Sequence, residues 1–121
     1  MTYGVGTDII EIDRFKNLSE RFMKKCFTEQ ERTHLKGRHI QNIAGCFAAK
    51  EAVCKAMGTG FTGFMPASVE IVHNSVGKPE ILLHGEAKRI AEDAGIAKIE
   101  ISISHCRTFA TAFAVALTNG K

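Results

Sequence analysis

Glu51 and Lys55 stand four residues apart in FAAKEAVCKAMGTG (47–60), a run dominated by Ala, Val, Met, Phe and Cys. On a helix that spacing puts both on one face, and Glu before Lys is the favourable order. Such a pair is either a solvated ion pair contributing about 0.2–0.5 kcal/mol or a pair of reactive groups in a cleft. Ala44, Ala48 and Ala52 keep the neighbourhood small, which leaves room for a ligand. Asp8, in GVGTDI near the end of an apolar strand, either turns the backbone or supplies a second carboxylate. A hard cation such as Mg²⁺ takes oxygen ligands and usually one or two protein carboxylates, leaving the rest to water and phosphate. Asp8 and Glu51 offer that pair from two different elements, and Lys55 would neutralise a phosphate beside it. Spacing alone permits this phosphoryl-transfer set without excluding the plain ion pair.

Other candidates are weaker by themselves. His105 closes the apolar run ISISH and is either a hairpin-end histidine or a ligand contact, with Arg107 facing an anion or solvent. Gly77-Lys78-Pro79 reads as a turn. Gly4 and Gly6 lack the G-x-G-x-x-G spacing and the following helix of a dinucleotide site. The cysteines, at 26, 46, 54 and 106, have no zinc-site spacing, and Cys46 and Cys54 read as small buried hydrophobes.

The elements that must position these residues can be read from periodicity. YGVGTDIIEI forms a strand, and Asp13 caps a helix from Arg14 to Lys25 with Phe15, Leu18, Phe22 and Cys26 on one side. Thr28 with Glu31 is a capping-box signature opening a second helix in FTEQERTHL. Residues 36–42 are loop-like, and Ile43 to Met57 is helical, stopped by Gly58. After a glycine-rich connector closed by Pro66, SVEIVHNSVGKPEILLHG gives two strands around an NSVGKP turn. EAKRIAEDAG is a short amphipathic helix, and IEISISH and ATAFAVALT are two strands around HCRTF. The expectation is an α+β fold, with a mainly antiparallel sheet and packed helices, in a single domain over 1–121. At 45% hydrophobic and 24% charged residues the chain can build a core, and its small size favours oligomers.

GVGTDIIEIDRF, FTEQE, FAAKEAVCKAMGTG, GKP and SISH, in this order, resemble the holo-acyl-carrier-protein synthase family, the small type of phosphopantetheinyl transferase. The likeness covers nearly the whole chain. Its strand motif G-x-D-I-x-E-I, followed about forty residues later by F-x-x-K-E-A-x-x-K-A-x-G-T-G, is highly specific. The resemblance implies transfer of 4′-phosphopantetheine from coenzyme A to a serine of acyl carrier protein, with release of adenosine 3′,5′-bisphosphate. It implies Mg²⁺ on Asp8 and Glu51, catalysis by these two with Lys55, and coenzyme A on Lys55, Gly77, Lys78, Pro79 and His105. It also implies a homotrimer with sites between subunits, and docking of the acidic carrier through Arg14 and Arg21. The serine proton would go to Glu51 or to a metal-bound water held by Asp8.

Two departures stand out. Ile10 occupies the position where larger relatives often carry another acid, so a water would complete the metal shell. Cys46 stands where many close relatives carry Arg, leaving Lys50, Arg38 or Lys78 to take over a phosphate contact. A rival reading is a basic nucleic-acid module using residues 13–25, which hold five positive and two negative side chains. The scarcity of aromatics, with no Trp and one Tyr, and the lack of a reading motif speak against it. Another is a structural oligomer in which Glu51–Lys55 is an interface salt bridge. No apolar run approaches membrane-spanning length, and neither a secretory segment nor a disulfide framework is visible, so a reduced, cytoplasmic protein is expected.

Overall fold

Two glycines decide how the centre of the molecule is built. In the computed structural model, which describes residues 1–61 and 63–119, β1 (Thr2–Glu11) lies directly against α3 (Ile40–Met57). A Cβ on Gly4 would overlap the Ala56 carbonyl, and one on Gly6 the Ala52 carbonyl. The early glycines therefore serve close helix–strand approach. Side chains alternate across a strand, so Asp8 follows Gly4 and Gly6 onto the helix-facing side.

β1 pairs antiparallel with β5 (Phe109–Thr118), which pairs antiparallel with β4 (Ile96–His105), giving the sheet order β1-β5-β4. Its inner face carries the buried alanines 110, 112, 114 and 116 with Ile10, Ile99 and Ile101, a shallow floor on which α3 sits. β2 (Val69–His73) and β3 (Pro79–Leu83) form a separate antiparallel hairpin, followed by α4 (Gly85–Asp93). The turn between β2 and β3 is held by the Asn74 carboxamide oxygen, which accepts from the Val76 and Lys78 amides, with Gly77 at φ 84°. The α+β reading with antiparallel pairing stands.

The expected helix from Arg14 to Lys25 is interrupted, and Asp13 is not its N-cap. Ile12–Phe15 form a single 3₁₀ turn, Asn17 adopts a left-handed φ of 57°, and α1 spans only Glu20–Cys26. The cause is local: Ser19 takes the extended cap conformation and accepts a hydrogen bond from the Phe22 amide, restarting the helix there. Phe15 and Cys26 are nonetheless buried, with Leu18 and Phe22 packed against the core. Phe15, Phe22 and Phe27 surround the Phe47 ring at 5.4, 6.1 and 6.5 Å.

The capping box forms as expected at α2 (Glu29–Leu35). α3 begins three residues earlier than the sequence suggests and ends at Gly58 in the left-handed conformation.

Candidate active site

α3 carries two adjacent charges with opposite fates. Lys50 is fully buried and Glu51 is half-buried. The Lys50 ammonium donates to both oxygens of Glu31 at 2.8 Å and to the Val69 and Pro66 carbonyls. Glu31 in turn accepts from the amides of Thr28 at 2.8 Å and Ile71 at 2.7 Å. One carboxylate therefore caps α2, ties α3 and anchors β2, and a charge with this many partners tolerates burial. Lys50 is spent in this pair, so it does not replace an Arg at position 46. Arg38 donates its Nε to the His34 carbonyl, and the Lys78 ammonium lies 3.5 Å from Glu100.

Glu51 faces the other way. Its carboxyl is raised above the usual range, first by burial and next by the Asp8 charge, with Lys55 opposing. The Asp8 side chain is 18% exposed, and its carboxylate lies 3.4 Å from the Lys55 ammonium, which also donates to the Thr7 carbonyl at 2.9 Å. Thr111 holds the Asp8 carbonyl with a 2.8 Å bond, fixing this rung of the sheet. Asp8, Glu51 and Lys55 are thus brought together from β1 and α3. Lys55 pairs with Asp8 across the helix–strand contact rather than serving only as the i+4 partner of Glu51.

Two mutually repelling carboxylates at a half-open site fit a divalent cation. Among the described residues no cluster of three or more His, Cys, Asp or Glu could enclose a metal.

The remaining predicted residues divide. His105 and Pro79 line one cleft of about 240 Å³, together with His34, His73, Cys46, Asn42 and neighbouring apolar side chains. Gly77 and Lys78 lie in the adjoining turn, outside that lining. On α3, Asn42 and Cys46 point about 140–180° away from Glu51 at 3.6 residues per turn. Across the sheet, Asp8 and Ile103 flank Ala112, so His105 is two strands from Asp8 and one step further along β4. Within one chain the carboxylates and the His105 cleft occupy opposite flanks of α3.

Arg14 and Arg21 are exposed on the 3₁₀ turn and on α1. Asp13 and Glu20 pair with Lys16 and Lys24, and no salt bridge to Arg14 or Arg21 forms among the described residues. Sequence reasoning missed the structural role of Glu31, seen only as a cap, and the cleft positions of His34 and His73. One signal was available: Lys50 has Phe47, Val53, Cys46 and Cys54 at helical spacing, so its counter-charge had to come from elsewhere.

The family model for the 4′-phosphopantetheinyl transferase superfamily matches residues 4–116. A holo-acyl-carrier-protein synthase of Clostridium acetobutylicum is 48% identical over 120 residues, spanning 95% of this chain and 97% of its own. The crystal structure of the Neisseria meningitidis synthase superposes with a TM-score of 0.89 at 33% identity, covering 98% of this chain and 100% of that one. The Helicobacter pylori synthase, solved in complex with coenzyme A, gives 0.81 at 30% identity over 93% and 99% of the two chains. The chain belongs to the 4′-phosphopantetheinyl transferase superfamily and is an enzyme of that class. Within it, the holo-acyl-carrier-protein synthases named above match this chain over 95%, 98% and 93% of its length.

Proposed function

We propose that the protein transfers 4′-phosphopantetheine from coenzyme A to a serine of apo-acyl carrier protein, in a Mg²⁺-dependent reaction that releases adenosine 3′,5′-bisphosphate. The observation that carries this is the convergence of Asp8, Glu51 and Lys55 at the β1–α3 contact, in a chain whose full-length relatives bear that synthase name. Asp8 and Glu51 would hold Mg²⁺, which when bound supplies positive charge to the diphosphate of coenzyme A. The carrier serine oxygen forms a bond to the phosphorus next to the pantetheine arm, and the bond from that phosphorus to the bridging oxygen breaks. We assign the serine proton to Glu51, which stands on α3 one turn before Lys55. Lys55 leaves the Thr7 carbonyl to stabilise the departing phosphate oxygen, a swing its 53% exposure permits.

Coenzyme A also needs the His105 cleft, on the opposite flank of α3, so a second copy is the natural source of one half of the site. The outer sheet face supports association: Tyr3, Val5, Ile9, Phe109 and Phe113 are all exposed there. The assembly proposed is the homotrimer. Arg14 and Arg21, which form no salt bridge among the described residues, suit docking of an acidic carrier protein. Among the described residues no helix is long and apolar enough to cross a membrane, and all four cysteines are free, which supports a cytoplasmic setting.

Mass spectrometry of apo-carrier protein incubated with enzyme, coenzyme A and Mg²⁺ tests the reading. The expected result is a gain of one phosphopantetheine, lost with EDTA and in folded Asp8→Ala and Glu51→Ala variants. No gain across several carrier proteins with folded enzyme would overturn it.

A further inference from the structure

His34 of α2 and His73 of β2 stack face to face, centroids 4.3 Å apart and planes 15° from parallel, on the wall of the cleft that also holds His105 and Pro79. None of the described residues lining that cleft is Lys or Arg. Its one acid, Glu31, is already neutralised by Lys50. On the cleft wall itself positive charge resides in imidazoles, which gain it only in the mildly acid to neutral range, while the Arg38 guanidinium stands near His34 outside the lining.

We propose that the stacked His34–His73 pair is the anion-recognising wall of this cleft, so that the phosphate-bearing adenosine end of coenzyme A binds there with uptake of a proton. This inference rests on the proposed function for the identity of the ligand.

The surroundings of the pair set the sign. His34 is lowered by burial first, then by His73 and by Arg38 in the connection after α2. Protonation of His34 is thus opposed in the empty cleft, and an anion laid against the stack offsets that opposition. Among the other groups around the pair, Glu70 is partnered and the Cys46 thiol uncharged, while Glu29 is an exposed acid. Glu70, beside both rings, is held by Thr28 and His84. Glu29 lies on the outer side of His34. Cys46, across the cleft on α3, is buried and pushed far up, so its thiol stays uncharged. His105 faces the pair from β4 and is the one further imidazole in the lining. The N-terminal turn of α3, which contributes Gln41 and Asn42, adds its dipole in the same sense.

Calorimetric binding of adenosine 3′,5′-bisphosphate to the full chain, from pH 5.8 to 8.0, tests the proposal. Affinity is expected to fall about tenfold over that range, one unit of coupled pKa shift. At pH 6.5 the binding enthalpy should change with buffer ionisation enthalpy, showing proton uptake. His34→Gln and His73→Gln lie at exposed positions, and each should flatten both dependences while urea midpoints stay unchanged. A pH-independent affinity overturns the proposal. So does a dependence that survives in the His34→Gln/His73→Gln double variant and disappears only in His105→Gln. Absence of bisphosphate binding at every pH, in enzyme that still modifies carrier protein, also overturns it. Absence of both binding and carrier modification is instead the failure of the proposed function.

Discussion

Lys50 and Glu51 are neighbours in sequence and opposites in physics. Lys50 lies in a closed network where every charge is matched: two carboxylate oxygens, two carbonyls and a Phe27 ring whose centroid is 5.3 Å away surround one ammonium. Glu51 is pushed toward Asp8, a like charge, with a single lysine to offset both. The first arrangement is what a fold needs from a buried ion, and the second is what a cation or a diphosphate needs from a site. One helix provides both because its 100° step per residue sends consecutive side chains to different flanks. The contrast teaches that the frustrated pair, rather than the strongest pair, marks the chemistry.

Substitution can disrupt either arrangement. The largest effect is expected from Lys50→Met, which strands the Glu31 charge in the core. Urea unfolding should show a loss of about 3–5 kcal/mol. A loss under 1 kcal/mol would mean that the buried pair is not the clasp described. Next comes Glu51→Ala, expected to lower carrier modification by about 10²–10³-fold with the fold intact by circular dichroism. Retained activity would return Glu51 to the role of a surface ion.

A smaller effect tests the ground on which both stand. Gly6→Ala places a Cβ against the Ala52 carbonyl and should cost about 1–3 kcal/mol as α3 is forced off β1. An unchanged urea midpoint would show that the close approach is not required.

The smallest effect has the opposite sign. Glu51→Gln removes the repulsion with Asp8 and should stabilise the protein by roughly 0.5 kcal/mol at neutral pH. The folded pKa of Glu51 is raised, so its ionised form costs stability above that pKa, and protonation relieves the cost as pH falls through it. The advantage of Glu51→Gln should therefore shrink on acidification. An advantage that grows instead would sink the assigned sign.

Much of this was legible beforehand, for reasons that differ from residue to residue. The Thr28–Glu31 capping box and the Gly58 stop are local interactions within one turn, so adjacent residues specify them. The hairpin and both long strands at the end of the chain followed from alternation and turn chemistry. The helix over 14–25 did not survive, because its apolar stripe satisfies a helical period while Asn17 and Ser19 supply a competing backbone path. Periodicity reports which side chains are buried, not whether the backbone between them is continuous.

By itself the sequence determined the family, the element types and the membership of Asp8, Glu51 and Lys55 in one candidate set. Such motifs are combinations of residue type and spacing, which a linear chain carries whole. Only tertiary structure decided that Gly4 and Gly6 exist to admit α3, that Glu31 is the partner of Lys50, and that His34 and His73 meet across α2 and β2. It also decided that His105 lies on the far flank of α3 from Asp8. Each of these depends on which surfaces meet when helix and sheet pack, a choice made by shape and burial over separations of up to about a hundred residues.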